Sequence, residues 1–139
     1  MRASPITYIS HRDAKMNDCS IEVQIETDYL PQQSDLSDNK YAFAYHITLT
    51  NRGSVAAQLI SRHWIIVDGN NEMREVKGIG VVGEQPLIAP GDSYHYSSGA
   101  MLDTVVGTMQ GSYHMQTKNG RSFDVPIPVF MLALPNAVH

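Results

Sequence analysis

Alternation of apolar and polar residues, the signature of half-buried strands, dominates this chain beyond residue 20. Ile21, Val23 and Ile25 share one face, and Glu22, Gln24 and Glu26 share the other. Tyr41, Phe43, Tyr45, Ile47 and Leu49 repeat the pattern with Ala42, Ala44, His46, Thr48 and Thr50 between them, and Asn51-Arg52-Gly53 ends the run. Residues 58–67 form a continuous β-branched and aromatic stretch closed by Asp68-Gly69-Asn70-Asn71, which predicts a hairpin into residues 72–76. Residues 93–98, 107–117 and 122–134 supply further extended segments. Lys118-Asn119-Gly120-Arg121 predicts another hairpin, because Asn-Gly tolerates the positive φ of a type I′ turn. No segment carries a convincing helical period. Seven to eight short strands separated by turn signals predict an all-β fold: an antiparallel β-sandwich with Greek-key connections, of the immunoglobulin or fibronectin III kind. Pro126 and Pro128 cannot donate ladder hydrogen bonds, so the last strand is expected at a sheet edge or through a bulge.

Residues 1–18 show neither period and read as a flexible N-terminal arm, leaving residues 19–139 as a single domain. At 139 residues the chain is long enough to bury a core without metals or disulfides. A net charge of −4 gives no footing for polyanions, so nucleic acid is not the expected partner. The single cysteine, Cys19, forms no internal disulfide and fits a reducing compartment, with the cytoplasm as the expected location. Neither a signal-peptide pattern nor a membrane-length apolar run is present, so no membrane association is expected.

Chemistry-bearing residues are scattered. His11, His46, His63, His95, His114 and His139 lack metal-ligand spacing, no metal or cofactor is expected, and hydrogen-bonded structural histidines are the better reading for those in strands. Ser97, Ser98 and Ser112 have no nucleophile elbow and no histidine or carboxylate partner identifiable from sequence, so no catalytic constellation is assigned. In a regular strand Arg62 and Trp64 share a face with Ile60 and Ile66, with His63 opposite.

Gly78, Gly80 and Gly83 match G-x-G-x-x-G, the dinucleotide fingerprint. The fingerprint needs a helix after the loop, and Glu84-Gln85-Pro86-Leu87-Ile88-Ala89-Pro90-Gly91 leaves no room for one. A tight inter-strand connection is the favoured reading. The functional alternative is an anion-binding nest built from the amides of Gly78, Gly80 and Gly83 with Arg62 and Lys77 beside them.

The same block, together with Tyr29-Leu30, Tyr41 to Ile47, Gln58 to Ile66, Tyr96-Ser97-Ser98-Gly99, Gly107 to Tyr113 and Ile127-Pro128-Val129-Phe130, closely resembles the ApaG family, also called CorD. The resemblance implies a fibronectin III-like sandwich. It also carries a link with cobalt and magnesium efflux, a gene neighbouring a dinucleoside tetraphosphate hydrolase, and related domains that look like protein-interaction modules. It implies no catalytic residue. Relatives place glycine at the far end of the turn at residues 68–71, whereas this chain has Asn71 there. The leading expectation is a non-enzymatic interaction module for an unidentified protein partner, and the second is a phosphate- or nucleotide-binding protein using the loop from Gly78 to Gly83. On the first reading, Gly80→Arg abolishes partner capture and leaves the fold intact.

Overall fold

The computed structural model describes the backbone of residues 6–10 and the whole of residues 19–135. Its strands are β1 (Ile6–Ser10), β2 (Ile21–Tyr29), β3 (Tyr41–Asn51), β4 (Ala57–Asp68), β5 (Met73–Ile79), β6 (Leu87–Ile88), β7 (Ser93–Leu102), β8 (Val106–Thr117) and β9 (Ser122–Ala133). One sheet runs β1-β2-β3-β7; the other runs β5-β4-β8-β9, with β6 also on β4. All pairings are antiparallel. This is the sandwich of fibronectin III type expected from the strand pattern. Two strands, β1 and β6, were not foreseen. β1 falls in the segment expected as an arm and pairs Ile6–Ser10 with β2; the rest of that segment lies outside the described residues.

Period-two patterning sorts the side chains. Ile21, Val23, Ile25, Phe43, Tyr45, Ile47 and Leu49 turn inward against Trp64, Met109, Tyr113, Met115, Val125, Phe130 and Leu132 from the other sheet. Trp64 is 2 % exposed and meets the rings of Tyr45, Tyr113 and Phe130 edge-on, at 5.4 to 6.2 Å between centroids, the geometry that the ring quadrupoles favour. Tyr96 of β7 and Tyr113 of β8 close the gap between the sheets with a hydroxyl-to-hydroxyl hydrogen bond of 2.5 Å.

Irregularities depart from the ideal pattern. A register shift in β4 between Leu59 and Ser61 makes Ile60 a bulge, so the buried positions change parity, from Ala57 and Leu59 to Trp64 and Ile66. The expectation that Ile60 shares the face of Trp64 is therefore corrected: an extra residue in one strand reverses the alternation. β9 lies at a sheet edge, and the spacing of its partners shows one extra residue between Ile127 and Phe130, beside Pro128, so proline has both of the placements expected for it. The hairpin at residues 118–121 forms, with a different turn. Gly120 alone has positive φ, +87°, and its amide bonds to the Thr117 carbonyl, which makes a type I turn followed by a left-handed glycine rather than type I′. In the turn at residues 68–71 the left-handed position falls on Asn71, φ +63°. Asparagine tolerates that conformation, and the Asp68 carboxylate holds the turn by accepting from the amides of Asn70 and Glu72.

Burial raises the pKa values of Tyr96 and Tyr113 well above the usual phenol value. A folded-state pKa above the unfolded one leaves stability intact below about pH 10 and removes it as pH rises further, by about 1.4 kcal/mol per pH unit for each group. The melting temperature should therefore fall steeply between pH 10 and pH 11.5, and the Tyr96→Phe/Tyr113→Phe double variant should show a shallower slope by calorimetry or circular dichroism.

Candidate partner loop

Residues 80–86 connect β5 to β6 on one side of β4, and Ile60 is their first point of attachment. Its carbonyl, at the next step of the β4 to β5 pairing, accepts two hydrogen bonds from the loop, from the Gly80 amide at 2.8 Å and from Gln85 Nε2 at 2.9 Å. Arg62 supplies a second clamp. Its Nη1 donates to the carbonyls of Ile79 at 3.2 Å and Gly80 at 2.8 Å. Gly78 sits opposite Arg62 in the ladder, and a Cβ at Gly78 would stand 2.7 Å from the guanidinium carbon. The missing side chain is what lets the guanidinium lie over the strand. Val81, 0 % exposed, plugs into the core as a third anchor.

The tip of the loop is a two-residue hairpin. Val81 and Glu84 exchange both backbone hydrogen bonds, at 2.8 and 3.0 Å, and the residues between them, Val82 and Gly83, have φ of +48° and +79°, as a type I′ turn requires. Glycine suits this position. Valine, β-branched, does not, and its left-handed conformation costs about 1–2 kcal/mol. Val82 is nevertheless exposed, as are Ile79 and Leu87. The loop thus combines a pinned base with an apolar, strained tip.

Of the five sequence candidates, Arg62, Gly78 and Gly80 are brought together and Gly83 stands at the tip. Lys77 is not with them: it pairs with His63 in the ladder, one step from the Arg62 and Gly78 pair, and therefore faces the other side of the sheet. The amides of Gly80, Val81 and Glu84 are all engaged within the chain. The expectation that Gly80→Arg leaves the fold intact does not survive this geometry, since φ is +64° and a Cβ would lie 2.2 Å from the Glu84 carbonyl oxygen. Beside the loop, a cleft of about 260 Å³ opens between the free edges of β5 and β7, lined by Arg62, Trp64, Arg74 and Ser98 among others, and Arg74 spans it to the Met101 carbonyl at 2.9 Å.

Side-chain groupings across strands escaped the sequence. The strand histidines are hydrogen-bonded: His63 to Glu75 at 2.5 Å, His114 to Asp124 at 2.8 Å, His95 to Thr48 at 2.8 Å, and His46 to Asp28 and Ser97. Ser97, for which no partners were identifiable, therefore has both a histidine and, through it, a carboxylate. Among the described residues no three His, Cys, Asp or Glu side chains gather as a metal site. His11 and His139 lie outside the described residues. No helix among the described residues is long and apolar enough to cross a membrane.

The sandwich and its pinned loop define a fibronectin III-like domain with a glycine-rich connection between β5 and β6. The ApaG domain matches residues 31–117. Protein ApaG of Aromatoleum aromaticum is 58 % identical over 119 residues, 86 % of this chain and 94 % of that protein, and Protein ApaG of Pseudomonas paraeruginosa is 56 % identical over the same share of each. The crystal structure of the ApaA protein from Bordetella pertussis superposes with a TM-score of 0.82 at 51 % identity, covering 84 % of this chain and 95 % of that one. The chain belongs to the ApaG domain family.

The glycines should separate in urea titrations. Gly83→Ala, where a Cβ meets nothing within 4 Å, should cost about 1 kcal/mol for its positive φ alone, and Gly80→Ala should cost at least twice that figure. Val82→Asn should raise stability by about 1 kcal/mol through relief of the left-handed valine.

Proposed function

We propose that this ApaG-family protein is a protein-interaction module whose contact surface is the loop at residues 79–87. The observation that carries the reading is Val82. A β-branched residue held at positive φ, exposed, and flanked by the exposed Ile79 and Leu87 is a stability cost with no packing return inside the domain. Strain of this kind collects where a surface must present a fixed shape. The clamps from Ile60, Arg62 and Val81 order the loop beforehand, so little conformational entropy is lost when a partner closes over it. The geometry favours a partner with an apolar recess. Phosphate is poorly suited to the tip, because the amides of Gly80, Val81 and Glu84 already have acceptors. The efflux association carried by the family resemblance fits the same reading, with the transport step belonging to the partner.

Val82→Asn and Ile79→Ser should fold as wild type does and lose the specific protein that the wild-type chain retains from a cell extract. Capture at wild-type yield by both folded variants would remove this loop from the interface. Retention unchanged by nucleotide or magnesium is expected; retention that requires either one would point to a ligand-dependent surface instead.

A further inference from the structure

On the outer face of the β1-β2-β3-β7 sheet, Asp28, His46 and Ser97 form a connected line: Glu26 is the residue opposite His46 on β2, and Asp28 reaches His46 diagonally from the next position on that face. His46 of β3 is directly opposite Ser97 of β7 in the ladder. Its Nδ1 lies 2.6 Å from Ser97 Oγ, and its Nε2 lies 2.8 Å from Asp28 Oδ2 on β2. An ionised carboxylate can only accept a hydrogen bond, so in the neutral form of the ring Nε2 carries the proton and Nδ1 presents its lone pair to the serine hydroxyl. That is the order of an acid, base and nucleophile relay, with the two ring nitrogens exchanged relative to the serine proteases. In the neighbouring rows Thr48 bonds His95 and Thr50 bonds Ser93.

The space beside the line is open. Asp28 is opposite Ala44, and Ala44 is opposite Gly99, so small residues flank Ser97 and His46 where a substrate would sit. Beyond them is a depression of about 260 Å³ lined by Leu30, Gln33, Ala42, Phe43, Gly99 and Met101, apolar apart from the Gln33 amide. Ser97 itself is exposed. Among the described strands β7 pairs only with β3, so alternate amides along its other edge face away from the sheet, where they can meet a developing oxyanion.

We propose that Ser97 is a nucleophile toward esters of short apolar carboxylic acids, with His46 as its general base and Asp28 as the positioning residue. Ser97 Oγ adds to the ester carbonyl carbon while its proton passes to His46 Nδ1. The bond from that carbon to the alcohol oxygen then breaks, and the departing oxygen takes the proton from His46. Water attacks the acyl-serine, giving one proton to His46; the bond between the acyl carbon and Oγ breaks, Oγ recovers the proton, and the carboxylic acid leaves. The apolar acyl chain lies toward Leu30 and Met101.

The test is to treat the intact chain with an alkyl fluorophosphonate and map the modified peptide by mass spectrometry. Labelling should fall on Ser97, and His46→Ala should slow it about 100-fold, the usual worth of a general base. With p-nitrophenyl butyrate, Asp28→Asn should lower kcat about 10-fold with KM unchanged, as expected for an interaction that acts in the transition state, and Asp28→Glu should recover part of the loss. Met101→Trp, which fills the depression, should raise KM. Wild-type Ser97 labelled no faster than Ser112, or His46→Ala labelled at the wild-type rate, would overturn the proposal, leaving the line as a cross-strand hydrogen-bond ladder.

Discussion

The packing of Trp64 between the two sheets is the constraint on which the rest of the structure depends. Its ring touches residues of three other strands, Tyr45, Tyr113 and Phe130, and the Tyr96 to Tyr113 hydroxyl bond fixes the separation of the layers beside it. β4 has to deliver this side chain inward while keeping Leu59 inward as well. Strict alternation cannot place residues 59 and 64 on one face. The bulge at Ile60 resolves the conflict, and the same residue's carbonyl moors the glycine-rich loop. Core packing and the surface loop are thus linked through a single inserted residue.

That linkage explains why the glycines are where they are. Gly78 makes room for a guanidinium and Gly80 for a carbonyl, and both answer to close approach within the chain. The fingerprint they spell is a by-product of a clamp and a hairpin. Val82 is the one position in the loop whose residue type works against the local backbone.

Much of the fold was legible because it rests on period two. The faces of β2 and β3, the β4 to β5 hairpin and the edge position of β9 follow from alternation, turn residues and proline. The two short strands, β1 and β6, escaped because five and two residues carry too little pattern. The turn at residues 118–121 was located correctly and typed wrongly, since Asn-Gly is compatible with more than one backbone path. The parity change in β4 was invisible: a bulge leaves no mark in a run such as Leu59-Ile60-Ser61 where every residue suits a strand. Of the candidate site, Arg62 with Gly78 and Gly80 was recoverable from sequence, whereas Lys77 was separated from them by one step of alternation. His46 and Ser97 were visible as polar positions in predicted strands and Asp28 was not, and the meeting of the three depends on register, which needs the pairing partners to be known.

That register has a consequence in time. His46 and Ser97 are 51 residues apart in sequence, and the ladder that joins them, between β3 and β7, spans the intervening β4, β5 and β6, which belong to the opposite layer. Contacts of such separation form late and slowly, because the loop-closure entropy must be met before they give any return. A chain still emerging from synthesis therefore carries Ser97 as an ordinary hydroxyl. The hydrogen bond to His46 comes into being only with the finished sandwich, which makes this line of three side chains a marker of completed folding.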